Sequence, residues 1–156
     1  MPVLAALADS TAGYSLLLNE SVQSQVILLP PPEKDGGKSV LAALSERKTI
    51  RTISSRELPV QILSNLLWAA FGVNRDKAGF DKKGRTAPSA SNSQEIDLYV
   101  VLPEGVYIYD AILHRLVLIA SGDFRMRSGR RSAATAPVNI FYVVDRSRYD
   151  LGPSQP

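Results

Sequence analysis

The sequence predicts an α+β domain, and three observations carry that expectation. Apolar residues recur at helical spacing after Pro59, three β-rich runs follow one another at 97–102, 106–110 and 114–120, and an almost unbroken apolar run spans Val138-Asn-Ile-Phe-Tyr-Val-Val144. Helices that precede a run of sequence-adjacent strands point to an antiparallel sheet rather than to alternating βαβ units. With 156 residues, 45% of them hydrophobic and 21% charged, the chain fits one globular domain with a real core.

Residues 1–27 show no usable period and read as a mobile or extended leading segment. Their apolar patches, Val3 to Ala8 and Ser15 to Leu18, have no Lys or Arg before Lys34 and are interrupted by polar residues, so they match neither a signal peptide nor a membrane span. Pro30-Pro31-Pro32 gives a stiff extended spacer and Asp35-Gly-Gly37 a turn, which places the domain start near residue 28.

Ser39 is positioned to cap a short helix from Val40 to about Arg47, with Val40, Leu41 and Leu44 on one face. Behind it stand Arg47, Lys48, Thr49 and Arg51. Cations at a helix C-terminus are common for dipole reasons alone, and the same set could grip an oxyanion, since Arg offers a bidentate fork and Lys a point charge. Spacing alone leaves both readings open. The next helix, from Pro59, carries Ile62, Leu63, Leu66, Leu67, Ala70 and Phe71 as its apolar stripe, and Gly72 stops it. Trp68 lies beside the stripe, as a packed aromatic or as a flank for a ligand. Asn74 to Lys83 alternates charges around Gly79 and reads as a solvated loop.

Arg85-Thr-Ala-Pro-Ser-Ala-Ser-Asn-Ser-Gln94 is polar and conformationally restricted, yet feeds directly into Leu98-Tyr-Val-Val-Leu102. Pro88 fixes its own φ and biases Ala87 towards extended backbone, while Ser89, Ser91, Asn92, Ser93 and Gln94 both donate and accept. Read alone it is a turn cluster, or a binding loop for a heteroaromatic or sugar-like ligand. Pro103-Glu-Gly105 signals a hairpin, and the three runs form an antiparallel meander. His114, at the start of the third run, reads as a surface or turn residue rather than a catalytic base, because no partner is evident. Arg125 to Arg131 is a second basic cluster; without interleaved aromatics it reads as a solvated linker rather than a nucleic-acid patch. The 138–144 run reads as a strand buried on both faces, and 146–156 as a tail.

The absence of cysteine excludes disulfides, thiolate metal sites and Cys nucleophiles, and a single histidine excludes a His-rich metal site. The net charge of +3 favours anionic ligands without singling out nucleic acid.

Taken in order, Glu46 to Arg51, Leu66 to Arg75, Ala87-Pro-Ser-Ala-Ser-Asn-Ser-Gln94 and Ala136 to Asp145 resemble the nitroreductase family of FMN-dependent oxidoreductases over residues 28–145. The resemblance implies a three-layer α+β fold with an antiparallel-rich sheet and flanking helices. It implies a homodimer with FMN at the subunit interface, and neither nucleic acid nor membrane as partner. By that resemblance Arg47, Lys48, Thr49 and Arg51 hold the FMN phosphate and ribityl chain, and Pro88, Ser89, Ala90 and Asn92 reach the flavin of the partner subunit. Lys48 and Thr49 depart from the commonest family residues but keep a cation and a hydroxyl. The activity implied is hydride transfer from NAD(P)H through flavin to a nitroaromatic, quinone or similar small-molecule acceptor, with no protein catalytic residue required.

The family's interface helix, Gly-Leu-Gly segment and C-terminal basic residue have no counterpart after residue 145, so the domain reads as C-terminally truncated. The expected alternative is a non-catalytic partial domain that acts only in association or is a gene fragment. A cytoplasmic location is expected if the sequence is complete; a periplasmic one follows from the resemblance alone.

Overall fold

A computed structural model of the chain describes residues 25–129 and 131–148. The architecture is α+β, built on one five-stranded antiparallel sheet. Its strands are β1 (Val26–Leu28), β4 (Ile96–Leu102), β5 (Gly105–Asp110), β6 (Arg115–Ser121) and β7 (Asn139–Val144), in the order β1-β6-β5-β4-β7. A small antiparallel ribbon pairs β2 (Val73–Arg75) with β3 (Gly84–Arg85). Among the described residues three α-helices accompany the sheet: α1 (Val40–Glu46), α2 (Val60–Phe71) and α3 (Arg131–Thr135).

The expected meander is present. Leu102 pairs with Gly105 across the two-residue link Pro103-Glu104, and a Cβ on Gly105 would come within 2.8 Å of the Ala120 carbonyl oxygen. The β5–β6 turn is held by Asp110, whose Oδ1 accepts from the Ile112 and Leu113 amides, each at 3.1 Å, while Oδ2 pairs with Arg115 Nε at 3.1 Å. An Asx-type turn of this kind satisfies the amides that the strands leave behind.

α2 lies over one face of the sheet, where Leu63, Leu67 and Phe71 meet Leu98, Val100, Leu102, Tyr107, Tyr109 and Leu116. Only part of the predicted stripe is core. Leu67 is 0% exposed, whereas Leu66 is 46% and Ile62 49% exposed, so those two positions point away from the sheet. The helix ends at Gly72 as expected, but with φ −70° and ψ 167° it needs no left-handed backbone. Glycine is required there by space, since a Cβ would lie 2.6 Å from the Trp68 carbonyl oxygen and 2.3 Å from Trp68 Cδ1. Gly72→Ala is therefore expected to cost about 1–3 kcal/mol, the usual range for overpacking, read as a lower midpoint in urea unfolding. Trp68 is half-buried: its Nε1 donates to the Val73 carbonyl at 3.0 Å, while its ring lines a cavity with Leu29 and His114 and lies under Lys34 Nζ at 5.2 Å.

Three expectations need correction. Val26 and Ile27, placed with the leading segment, pair with Val117 and Leu116 of β6 and so belong to the sheet; residues 1–24 lie outside the described residues. The β7 strand is not buried on both faces: it is an edge strand, and Phe141, Tyr142, Val143 and Val144 are exposed, Tyr142 by 64%. Nothing in the described residues covers it. The start of the expected tail packs back, because Arg148 pairs with Asp97 of β4 and with Asp145 and donates to the Gln94 carbonyl at 3.1 Å. Residues 149–156 lie outside the described residues.

His114 is a turn residue, at φ 49°, but it has partners that the sequence did not reveal. Its Nε2 lies 2.7 Å from Ser64 Oγ and 3.1 Å from the Pro30 carbonyl, and its Nδ1 lies 2.8 Å from the Tyr109 hydroxyl. Ser64 Oγ donates to the Pro30 carbonyl at 2.6 Å, and Gln61 and Asn65 of α2 bond Pro31 and Glu33, so the proline segment is strapped along the helix. Burial first, with Lys34 adding to it, pulls the imidazole below its ordinary pKa of 6.5. Burial pushes the Tyr109 phenol up to about 12. Tyr109 therefore keeps its proton and donates to a neutral ring. Because the unfolded state binds that proton more readily, stability is present above the unfolded value and is lost as pH falls below 6.5. The midpoint of thermal unfolding is expected to drop between about pH 7 and pH 5, and His114→Gln to flatten that slope.

Candidate functional site

The ribbon β2–β3 and the segment after it form the walls of a cavity of about 500 Å³. Pro88, Ser89, Ser91 and Asn92 line it together with Arg75, Phe80 and Arg85. The loop is held in a conformation that L-residues avoid. Ser91, Asn92 and Gln94 have φ of 50°, 51° and 55°, and in the turn bonded to the loop through Gly79, Phe80 and Asp81 are at 63° and 52°. Each such residue costs on the order of 1 kcal/mol and persists only where surrounding bonds over-determine it.

Those bonds come from inside the loop and from Gly79 and Lys83 before it. Ser89 caps it, its carbonyl accepting from the Asn92 amide at 3.1 Å and its Oγ from the Gln94 amide at 3.0 Å. Asn92 Nδ2 donates to the Gly79 carbonyl at 2.9 Å and ties the loop to the facing turn. Gln94, 9% exposed, accepts from Arg85 Nε at 2.8 Å and donates Nε2 to the Lys83 carbonyl at 2.7 Å and to Asn92 Oδ1 at 2.9 Å. Of the two readings of this stretch, the turn chemistry is therefore present, and it serves to shape a cavity wall.

Arg85 had no role assigned from the sequence. Its guanidinium lies over the Phe71 ring at 5.0 Å, and its Nη1 is buried without a hydrogen-bond partner among the described residues. Burial is the main influence on it and lowers its pKa from the ordinary value, so the charge is held under desolvation. An Arg in a loop usually reads as a solvated cation, and only the ring beneath it and the glutamine beside it mark this one as different.

The other predicted residues are elsewhere. Arg47, Lys48, Thr49 and Arg51 are exposed, on irregular backbone after α1, and do not line the cavity bounded by Pro88, Ser89 and Asn92. Ser39 caps α1 as expected, its Oγ accepting from the Ala42 amide at 3.3 Å. Yet α1 buries no residue, and Leu41 is 79% exposed. Pro88, Ser89 and Asn92 come together at the cavity, while Ala90 sits in the same 3₁₀ turn without lining it. One chain thus does not unite the two predicted clusters.

The second basic cluster is partly engaged within the chain. Arg125 pairs with Asp123 and donates to the Ala136 carbonyl at 3.0 Å, and Arg127 stacks over Phe124 at 5.2 Å. Arg130 lies outside the described residues. Among the described residues no group of three or more His, Asp or Glu could hold a metal ion, and no helix is long and apolar enough to cross a membrane.

Comparison with known proteins identifies the family of the chain. The sequence profile of the nitroreductase family matches residues 44–154, which include both predicted clusters. A candidate nitroreductase of Methanocaldococcus jannaschii is 35% identical over 107 residues, covering 65% of this chain and 50% of that protein. The crystal structure of a candidate nitroreductase from Ralstonia eutropha JMP134 superimposes with a TM-score of 0.73 at 39% identity, covering 83% of this chain and 60% of that one. The chain thus spans half to three-fifths of the length of these relatives.

Proposed function

Because the chain belongs to the nitroreductase family, a family of oxidoreductases, we propose that it is an FMN-dependent oxidoreductase acting as a homodimer. It passes hydride from NAD(P)H to a nitroaromatic, quinone or similar small acceptor. The observation that carries this reading is the separation of the two clusters. Arg47, Lys48, Thr49 and Arg51 lie exposed and outside the cavity that Pro88, Ser89 and Asn92 line, where Arg75 and Arg85 are the cations at hand. A second copy, bringing its own 47–51 segment to this loop, makes one complete set of donors. The uncovered apolar side chains of α1 and β7 are where such an association would bury surface.

The donor chemistry fits FMN. Arg47 and Arg51 would hold the phosphate as charge-assisted forks, with Lys48 as a point charge and Thr49 as a hydroxyl donor. Pro88, Ser89, Ala90 and Asn92 would bound the flavin of the other chain, orienting it and excluding water. When bound, FMN supplies the hydride chemistry; the protein supplies position and hydrogen bonds. No acid, base or nucleophile of the chain is required for it.

Purified protein should be yellow or take up added FMN, and should then consume NADH or NADPH with a quinone as acceptor. Protein that neither retains nor takes up FMN would contradict the proposal. A second reading, a non-catalytic partial domain, is favoured by the exposed β7 strand together with the span of half to three-fifths of the relatives' length. Turnover of NADH with a quinone would exclude it.

A further inference from the structure

We propose that Gln94 is the positioning residue of the cavity loop, setting the direction in which Asn92 and Ser89 present their hydrogen-bonding groups to the flavin; the inference rests on the FMN reading above. The reasoning is a relay of polarity. Arg85 can only donate, so the Gln94 atom at 2.8 Å from its Nε must be Oε1. Nε2 then faces the Lys83 carbonyl, which can only accept, at 2.7 Å. Its second hydrogen meets Asn92, whose facing atom must be Oδ1, at 2.9 Å. That leaves Nδ2 on the side of the Gly79 carbonyl, again an acceptor, at 2.9 Å. A donor-only group at one end and carbonyls at two points therefore fix both amides, with no freedom to flip.

The consequence is a cavity wall of defined polarity. Asn92 Nδ2 has one hydrogen left after Gly79, and Ser89 Oγ, which accepts from the Gln94 amide, keeps its own hydrogen. Both residues line the cavity. With Arg75 and Arg85 beside them, the wall offers donors and positive charge, which suits a ligand edge rich in oxygen acceptors. Gln94 does not line this cavity, so its effect on a ligand passes through Asn92 and Ser89.

The test is a double-mutant cycle on FMN binding with a flavin-free readout beside it. Gln94→Ala is expected to weaken FMN binding about tenfold, the loss of one oriented hydrogen bond, and to have less than about a twofold effect in an Asn92→Ala background. Additive losses, or no loss from Gln94→Ala, would overturn the inference. In flavin-free protein the Asn92 side-chain amide should show dispersed, exchange-protected NMR resonances that collapse in Gln94→Ala; resonances unmoved by that change would also overturn it. Should Gln94→Ala fail to fold, Gln94→Glu keeps the shape and the bond from Arg85, removes the donor to Asn92, and is expected to give the same loss. Wild-type protein that takes up no FMN overturns the proposed function, and the flavin-free resonances then decide the role of Gln94 in the loop by themselves.

Discussion

Replacing Arg47 and Arg51 together with alanine is expected to weaken FMN binding by roughly two to four orders of magnitude. Each lost charge-assisted contact costs on the order of 1.5–3 kcal/mol, or about ten- to a hundredfold in binding. The two losses will add less than fully if both guanidiniums grip the same phosphate. Both residues are exposed and lie outside helix and strand, so the thermal midpoint should hardly move. Arg127→Ala is the control, since that residue is also an exposed cation but stacks on Phe124 away from either cluster. Fluorescence titration with FMN separates the cases. Equal losses from all three positions would mean that net positive charge, not a phosphate grip, attracts the cofactor.

Leu67→Ala is expected to give the largest loss of stability, about 2–5 kcal/mol, because it opens a cavity at a fully buried position between α2 and the sheet. Leu66→Ala on the same helix should cost about 0.5 kcal/mol or less in the separate chain, since its side chain is 46% exposed. Urea unfolding at low protein concentration measures both. If the cost of Leu66→Ala rises towards that of Leu67→Ala as the protein concentration is raised, the Leu66 face is buried against a second copy.

The contrast between these two leucines marks how far the sequence could be read. The helical period of residues 62–71 identified α2 and its ends, and the turn residues at 103–105 identified the hairpin, because local propensity and tertiary structure agree there. Periodicity cannot say how wide a stripe is covered, so Ile62 and Leu66 were grouped with the core although they face away from the sheet. The apolar run of β7 misled for a related reason: its composition is that of a covered strand, and in the described residues nothing covers it.

At the site, Pro88, Ser89 and Asn92 were legible from residue type and from the resemblance, and they do line a cavity. Arg85 and Gln94 were present in the same stretch but their roles were not legible, since a half-buried arginine resting on Phe71 and a buried glutamine bridging three partners depend on contacts that no local pattern encodes. His114 was missed in the same way, its partners Ser64 and Pro30 being distant in sequence.

The central claim is that FMN is held between two copies of this chain, by residues 47–51 of one and 88–92 of the other. Sedimentation of the FMN-treated protein, followed at both the flavin and the protein absorbance, tests it most directly. The expected result is that flavin travels with a species of twice the chain mass and is absent from the monomer. Flavin travelling with the monomer, or a dimer that carries none, would contradict it.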